Sequence, residues 1–379
     1  MNNKIKILLF TDWYEPGFKA GGPIRSCVNF AAEMKADYDI YIFTGDRDLG
    51  DAHSYPEIET NRWIEKDGLQ LFYASPAVLN WESILVHIQR VKPDYQYLNS
   101  MYSRYFTIYP LLMKRLKLIK SKVILAPRGM LKSTAVQYKT GKKKIFFRLL
   151  KWLHIPRKII FHATDTTEVN DIKKLFGNNV SVTQIANFPP QQQALQAIPK
   201  VPGTVRMIFS GRVHPIKNLL FFLHCLQSVI GEITLTIVAS IEDVEYWQEC
   251  EKLIKTFPKA VTVELLQDVP HHQVGQLINE HHLFVLPSRG ENFGHAIFEA
   301  LSAGRPVLIS DQTPWRNLSE QQAGWDLPLD DPSAFMRVLQ QAADMSDDEF
   351  QQWSTGAWQY AKNFAESAGL KEKYRELFS

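Results

Sequence analysis

The sequence predicts an α/β protein made of two doubly wound domains. Three observations carry this. Short apolar runs recur along the chain, separated by segments of helical period. One stretch, residues 187–204, holds four prolines and four glutamines and interrupts that alternation. The length, 379 residues, exceeds the roughly 250–300 at which a single core stops growing.

Each element can be justified in order. Ile5–Phe10 is a short apolar run, as a buried parallel strand requires. A loop with Pro16, Gly17, Gly21 and Gly22 follows, and Pro23 opens a helical pattern through Met34. Ile40–Thr44, Tyr95–Leu98 and Val123–Ala126 are the next strand candidates. After the Pro/Gln stretch, strands are expected at Val205–Ser210, Thr234–Ala239, Val261–Leu265, Leu283–Leu286 and Val307–Ser310. Asp347–Phe378 reads as helical and rich in aromatics, packing either on the second domain or back on the first. The expected boundaries are 1–186, a linker at 187–204, a second domain at 205–360, and a C-terminal helix at 361–379 returning to the first domain.

Composition narrows the class. Hydrophobic residues at 45% and charged residues at 22% are ordinary globular usage and exclude a disordered or fibrous chain. No apolar run approaches the ~18 residues of a membrane span. The run Ile5–Phe10 meets Asp12 and Glu15 too soon for a signal-peptide core, so a cytoplasmic protein is expected. Cys27, Cys225 and Cys250 lie far apart, which argues against a disulfide framework or a cysteine-rich metal site. The net charge of +3 conceals an asymmetry. Residues 1–190 carry 28 Lys/Arg against 17 Asp/Glu, a net +11, and residues 191–379 carry 15 against 23, a net −8. The first half is therefore expected to meet an anionic surface.

Chemistry concentrates in two segments that follow strands. The first runs Pro287-Ser-Arg-Gly-Glu291-Asn292-Phe293-Gly294-His295-Ala-Ile-Phe-Glu299-Ala and enters a helix. A helix N-terminus offers unpaired N–H groups, and Gly294 permits close approach, so Phe293–His295 can cradle a phosphate. Glu291 and Glu299 then suit hydroxyls on either side of it, one from a sugar and one from a ribose. The alternative is a capping and a solvated glutamate. The second segment is Ser210-Gly211-Arg212-Val-His-Pro-Ile-Lys217-Asn218, where two cations can converge on a diphosphate or simply be solvated.

In this order and spacing, Arg212-x4-Lys217-Asn218 and Glu291-x7-Glu299 resemble the retaining glycosyltransferases of family 4. The flanking Phe284-Val-Leu-Pro-Ser288 and Glu299-Ala-Leu-Ser-Ala-Gly-Arg-Pro-Val307 look like the same family, most densely over 205–315. The resemblance implies the GT-B fold, two facing Rossmann-like domains with a cleft between them. It implies a nucleotide-diphosphate-sugar donor and no metal or other cofactor. Arg212 and Lys217 would hold the diphosphate, with Gly211 and Asn218 shaping their loop. Glu299 would take the ribose and Glu291 the donor hexose, with Asn292–His295 amides beside sugar and phosphate. Gly21 and Gly22 would reach the diphosphate from the first domain. Retention would follow from front-face attack, the leaving phosphate taking the proton.

The first domain departs from the family pattern. The mid-domain histidine many relatives carry is absent from Leu98-Asn99-Ser100 and from Ala126-Pro-Arg128-Gly-Met-Leu131, text shared with a subset of bacterial surface-polysaccharide transferases. Arg128 is the candidate for an acceptor or phosphate contact, or else a structural ion pair. His162 and Glu168 either line the cleft or are structural. Asp46-Arg47-Asp48 is the one candidate for a divalent cation, and His271-His272 and His281-His282 read as solvated helix ends.

Lys139–Lys158 holds eight cations and no acid, interleaved with Phe146, Phe147, Leu149, Leu150, Trp152 and Leu153, and Leu111–Lys122 adds five more. This is the pattern of an interfacial helix, or of two helices with solvated cationic faces. No nucleic-acid-binding motif accompanies it. The expectation is thus a cytoplasmic, peripherally membrane-bound hexosyltransferase on the inner face of the membrane. It would act on a glycan or lipid-linked acceptor in bacterial polysaccharide synthesis. A same-fold epimerase or phosphorylase, or a non-catalytic sugar-nucleotide binder, are the alternatives.

Overall fold

A computed structural model describes residues 4–131 and 140–379. The chain divides into two compact units, one of residues 1–188 with 369–379, the other of residues 189–368.

The first unit is built on an eight-stranded sheet. Its strands are β1 (Lys6–Phe10), β2 (Asp39–Gly45), β3 (Trp63–Lys66), β4 (Leu69–Ala74), β5 (Tyr95–Leu98), β6 (Lys122–Leu125), β7 (Ile160–Ala163) and β8 (Ser181–Gln184). They lie in the order β3-β4-β2-β1-β5-β6-β7-β8, parallel except for the β3–β4 hairpin at one edge. Central strands buried on both faces need apolar residues on both: Ile7, Leu8, Leu9 and Phe10 are all fully buried.

The second unit carries β9 (Thr204–Ser210), β10 (Glu232–Val238), β11 (Val261–Leu266), β12 (Leu283–Leu286), β13 (Val307–Ser310) and β14 (Gly324–Leu327). Their order, β11-β10-β9-β12-β13-β14, reverses between β9 and β12, and every pair is parallel. Loops leaving the carboxyl ends of strands at such a reversal form a crevice where ligands of doubly wound sheets bind.

Extended chain from residue 189 to β9 is fastened to the second unit. Lys200 Nζ donates to the Ala343 and Met345 carbonyls at 2.8 and 3.1 Å, Arg305 Nη2 to the Gln196 carbonyl at 2.8 Å, and Trp358 Nε1 to the Gln193 carbonyl at 2.8 Å. The C-terminal aromatic stretch forms two helices, Asp347–Ser367 and Leu370–Leu377, separated at Gly369, whose φ of 53° is left-handed. The longer belongs to the second unit, where Trp353 stacks on Trp325 at 4.0 Å and Phe364 meets Trp315 at 4.9 Å. The shorter belongs to the first, where Tyr374 stacks on Phe188 at 4.5 Å and Phe378 meets Phe30 at 5.6 Å.

His281 and His282 are corrected by the structure. Neither is solvated: both are buried, His281 against the Thr236 hydroxyl at 2.9 Å, His282 between the Arg206 amide at 3.0 Å and the Pro199 carbonyl at 3.0 Å. They lie between the end of helix His271–Glu280 and the start of β12, where the chain turns into the buried sheet.

Candidate active site

In the second unit the loops after β9 and β12, 211–218 and 287–294, stand side by side where the strand order reverses. The first is set by its neighbour β10: Gly211 N donates to the Val238 carbonyl at 3.1 Å and Val213 N to the Ser240 carbonyl at 2.8 Å. Asn218, left-handed at φ 60°, ends it and starts the helix Leu219–Leu226. The two loops are joined. Arg289 N and Ser288 Oγ both donate to the Ile216 carbonyl, at 2.7 and 3.1 Å. Lys217 Nζ donates to Glu291 Oε1 at 2.6 Å, with side chains 16% and 11% exposed. Lys217 also lies along Gly211, 3.7 Å from where a Cβ would stand.

Arg212 faces outward and pairs with Glu242 at 2.7 Å, both side chains more than two-fifths exposed. An exposed pair of this kind is worth at most ~1 kcal/mol, so Arg212 can change partners when an anion arrives. Glu242, beyond the end of β10, was not singled out in the sequence, where nothing marks it.

Helix His295–Ser302 begins at Gly294, whose φ of 77° is left-handed. A Cβ there would fall 2.9 Å from Ile297 Cδ1 and 3.3 Å from Trp315 Nε1. Gly294 supplies no side-chain cap to this helix, and the start of a helix favours an anion. Phe293 and His295 are buried, their rings 4.7 Å apart, and Trp315 Nε1 donates to the Phe293 carbonyl at 2.6 Å. Glu299 lies further along the helix, its side chain 12% exposed, and accepts from His271 Nε2 at 3.0 Å. His271, the first residue of helix His271–Glu280, thus contacts Glu299 where the sequence indicated only a solvated end.

The first unit reverses its strand order between β1 and β5. Gly21 ends the loop after β1 and Gly22 opens the helix Gly22–Met34; both are exposed, Gly21 has φ 63°, and nothing lies within 4 Å of a Cβ built there. Asp48 fixes this loop: its carboxylate accepts from Phe18 N at 2.6 Å, Lys19 N at 3.0 Å and Leu49 N at 2.8 Å. Asp46 pairs with Arg47 at 2.8 Å. Both carboxylates of the Asp-Arg-Asp segment are thus engaged within the unit. Among the described residues, no three His, Cys, Asp or Glu side chains group as a metal would require.

Arg128 is buried and held by neutral partners. Its Nε and Nη2 donate to Asn99 Oδ1 at 3.1 and 2.6 Å, Nη2 also to the Tyr97 hydroxyl at 2.8 Å, and Nη1 to Asn187 Oδ1. Glu168 braces the turn beside it, accepting from Gly129 N at 2.6 Å and from Thr164 N and Oγ1 at 2.8 and 2.9 Å. His162 completes the cluster. Its Nε2–H donates to the Ile185 carbonyl at 2.8 Å, so Nδ1 accepts from the Tyr97 hydroxyl at 2.6 Å. Burial, with Arg128 nearby, pushes it down to about 3 and keeps it neutral.

Asp12 was not foreseen. It sits two residues past β1, where the strand order reverses, and Ser103 Oγ donates to its Oδ1 at 2.7 Å. Burial holds its carboxyl above the ordinary aspartate value despite hydrogen bonds from Ser103 and Ser100. Its position after the first strand was the available signal.

Residues 204–344 match the family model described as glycosyl transferases group 1. A 123-residue stretch, 32% of the chain, is 29% identical to the sulfoquinovosyl transferase SQD2 of Arabidopsis thaliana, of which it spans 22%. Among solved structures, HepE from Anabaena, in complex with UDP and glucose, superposes with a TM-score of 0.70 at 12% identity, over 98% of this chain and 99% of that one. Sucrose-phosphate synthase from Thermosynechococcus elongatus gives 0.70 at 15% identity, over 99% of each. The strand order and these likenesses agree: the chain has the GT-B fold, and its second unit is similar to the group 1 glycosyl transferases.

Proposed function

We propose that the protein is a retaining, metal-independent hexosyltransferase. It moves a hexosyl group from a nucleotide-diphosphate sugar to a glycan or lipid-linked acceptor in bacterial cell-surface polysaccharide synthesis, such as lipopolysaccharide, capsule or exopolysaccharide. The observation that carries the reading is the joined pair of loops after β9 and β12, with Lys217 and Glu291 in contact and the open start of helix His295–Ser302 adjoining.

In this reading Arg212 and Lys217 bind the diphosphate with the first-turn amides. Glu299 accepts from the ribose hydroxyls and Glu291 from the donor sugar. The anomeric carbon–phosphate oxygen bond breaks and a bond to the acceptor oxygen forms on the same face. The acceptor proton passes to the leaving diphosphate. Cations and amides already in place stabilise that leaving group without reorganising. On the acceptor side, Asp12 contacts the incoming hydroxyl, and Arg128 holds Asn99 and Tyr97 in position. HepE, solved with UDP and glucose, supports the class of donor. Peripheral attachment of the first unit to the inner face of the cytoplasmic membrane belongs to the same reading, because a lipid-linked acceptor is presented there.

The test is a calorimetric screen of nucleoside diphosphates and their sugars, followed by transfer assays on lipid-linked acceptors with and without EDTA. Transfer with retained configuration that survives EDTA is expected. Turnover of donor without acceptor, dependence on free phosphate, binding with no turnover, or loss of activity restored by Mg²⁺ or Mn²⁺ would each overturn it.

A further inference from the structure

The basic helix divides its apolar residues between core and solvent. In helix Thr140–Trp152 the residues Phe147 and Leu150 turn inward and join the core of the first unit. The outward face carries Ile145, Leu149 and Trp152, 66%, 48% and 74% exposed, at a spacing that places them along one side. Lys144, Arg148 and Lys151 are exposed among them. Lys143 lies over the Tyr102 ring at 5.2 Å, and Lys139 and the Lys142 side chain fall outside the described residues.

This ridge is continuous with the other basic segment. Arg115 Nε donates to the Leu153 carbonyl at 2.7 Å, tying the end of helix Tyr109–Arg115 to the end of the basic helix, and Lys114, its pKa lowered chiefly by burial, also feels the charge of Lys158. The turn after Arg115 exposes Leu116 (60%) and Leu118 (44%), with Lys117 and Lys120 beside them. Half of the ten exposed large hydrophobic side chains among the described residues thus belong to these two joined segments, and neither segment contains an acid.

We infer that this ridge is a docking surface for an anionic lipid bilayer. Exposed apolar side chains ringed by cations match a bilayer in both respects. The acyl boundary takes the apolar side chains and the anionic headgroups take the charges. Nucleic acid matches the charge but leaves Ile145, Leu149 and Leu116 without a partner, since bases stack on planar rings and aliphatic side chains are not planar. A second copy meeting the patch with its own would oppose like charges. The inference deepens the membrane attachment proposed above by naming its surface, and it does not depend on the donor site.

Leu149→Cys gives a direct readout, because Cys27, Cys225 and Cys250 are all buried and an environment-sensitive dye labels the new thiol selectively. With phosphatidylcholine vesicles containing 30% phosphatidylglycerol, the dye should shift to the blue and be quenched by nitroxide-labelled lipid; with phosphatidylcholine alone it should do neither. In sedimentation, unlabelled K144Q/R148Q/K151Q should partition onto the anionic vesicles on the order of a hundredfold less than wild type, at about fivefold per charge. I145S/W152S should lose at least tenfold while keeping its response to salt. Calorimetric titration with UDP and UDP-glucose, without lipid, accompanies each variant. Equal vesicle binding by wild type and both variants, or a dye that stays unquenched while the protein sediments, would overturn the surface. So would binding to a single-stranded oligonucleotide, or dimerisation, that both variants abolish while vesicle binding is untouched. Failure of nucleotide binding in the wild type would count against the transferase reading alone.

Discussion

Lys217 Nζ lies 2.6 Å from Glu291 Oε1, so the loop after β9 and the loop after β12 share a single ion pair at the point where the second sheet reverses its strand order. Both side chains are mostly covered, and the pair orders two segments that are otherwise 74 residues apart in the chain. The pair thus fastens the two loops to each other.

From this pairing, Lys217→Ala should weaken nucleoside-diphosphate binding by ~1.5–3 kcal/mol, the cost of a lost charge-assisted bond, and should also lower the melting temperature by removing the mostly covered ion pair that joins the two loops. Arg212→Ala should weaken binding similarly but leave stability nearly unchanged, because its partnership with Glu242 is exposed. Glu291→Ala should spare the bare nucleoside diphosphate and reduce turnover. Calorimetry and thermal unfolding on the three variants check this; equal nucleotide affinity in wild type, Lys217→Ala and Arg212→Ala would remove the diphosphate role.

Glu299 carries a second prediction through His271, which donates to it at 3.0 Å. If Glu299 takes the ribose, wild type should discriminate a nucleoside diphosphate from its 2′,3′-dideoxy analogue, and Glu299→Ala should abolish that discrimination. His271→Ala should reduce it less, since it removes only the group that orients the carboxylate. A double-mutant cycle on the two residues should show coupling, as contacting residues do. Full discrimination retained in Glu299→Ala would refute the orientation of the donor.

The strands flanking the site were legible because central parallel strands are buried on both faces and appear as apolar runs. Tyr95–Leu98, Leu283–Leu286 and Val307–Ser310 begin and end where the sequence placed them. The β3–β4 hairpin was not read. Its edge strand Trp63–Lys66 is half-exposed, and its one local signal is the Asp67-Gly68 turn, left-handed at both residues with φ 54° and 79°. Glu291 and Glu299 stood out by spacing, whereas Glu242 and His271 enter through tertiary pairing alone. In helix Thr140–Trp152 apolar residues occur all round, so periodicity could not say that Phe147 faces the core and Trp152 the solvent.

Asp12 is predicted to exchange stability for activity. Burial raises its pKa, so between the unfolded and folded values the native state binds more protons, and stability falls as pH rises through that window. At neutral pH the ionised carboxyl costs stability. Asp12→Asn, which keeps an acceptor for the Ser103 hydroxyl, should therefore melt higher than wild type at pH 7 while its transfer rate drops at least tenfold. Nucleoside-diphosphate affinity should not change. A variant with normal transfer rate would leave Asp12 as a structural residue only.

Acid stability follows from the buried histidines, with the opposite sign. Folding pushes His162 down to about 3 and His282 down to about 4, in both cases chiefly by burial, whereas an unfolded chain protonates histidine near 6.5. Between those values the unfolded state binds more protons, so stability is highest above pH ~6.5 and is lost as pH falls towards 4 and then 3. One such residue lies in each unit, so both should become acid-labile. His162→Gln can keep the hydrogen bonds to Tyr97 and Ile185 without a titrating ring. Its melting temperature should fall less steeply than that of wild type between pH 6.5 and 4.5, while His282 continues to impose its own slope on the second unit. Melting curves across that range decide the matter: parallel slopes for wild type and His162→Gln would mean that His162 is already protonated in the folded protein, which its bond to the Ile185 carbonyl on one side and the Tyr97 hydroxyl on the other argues against.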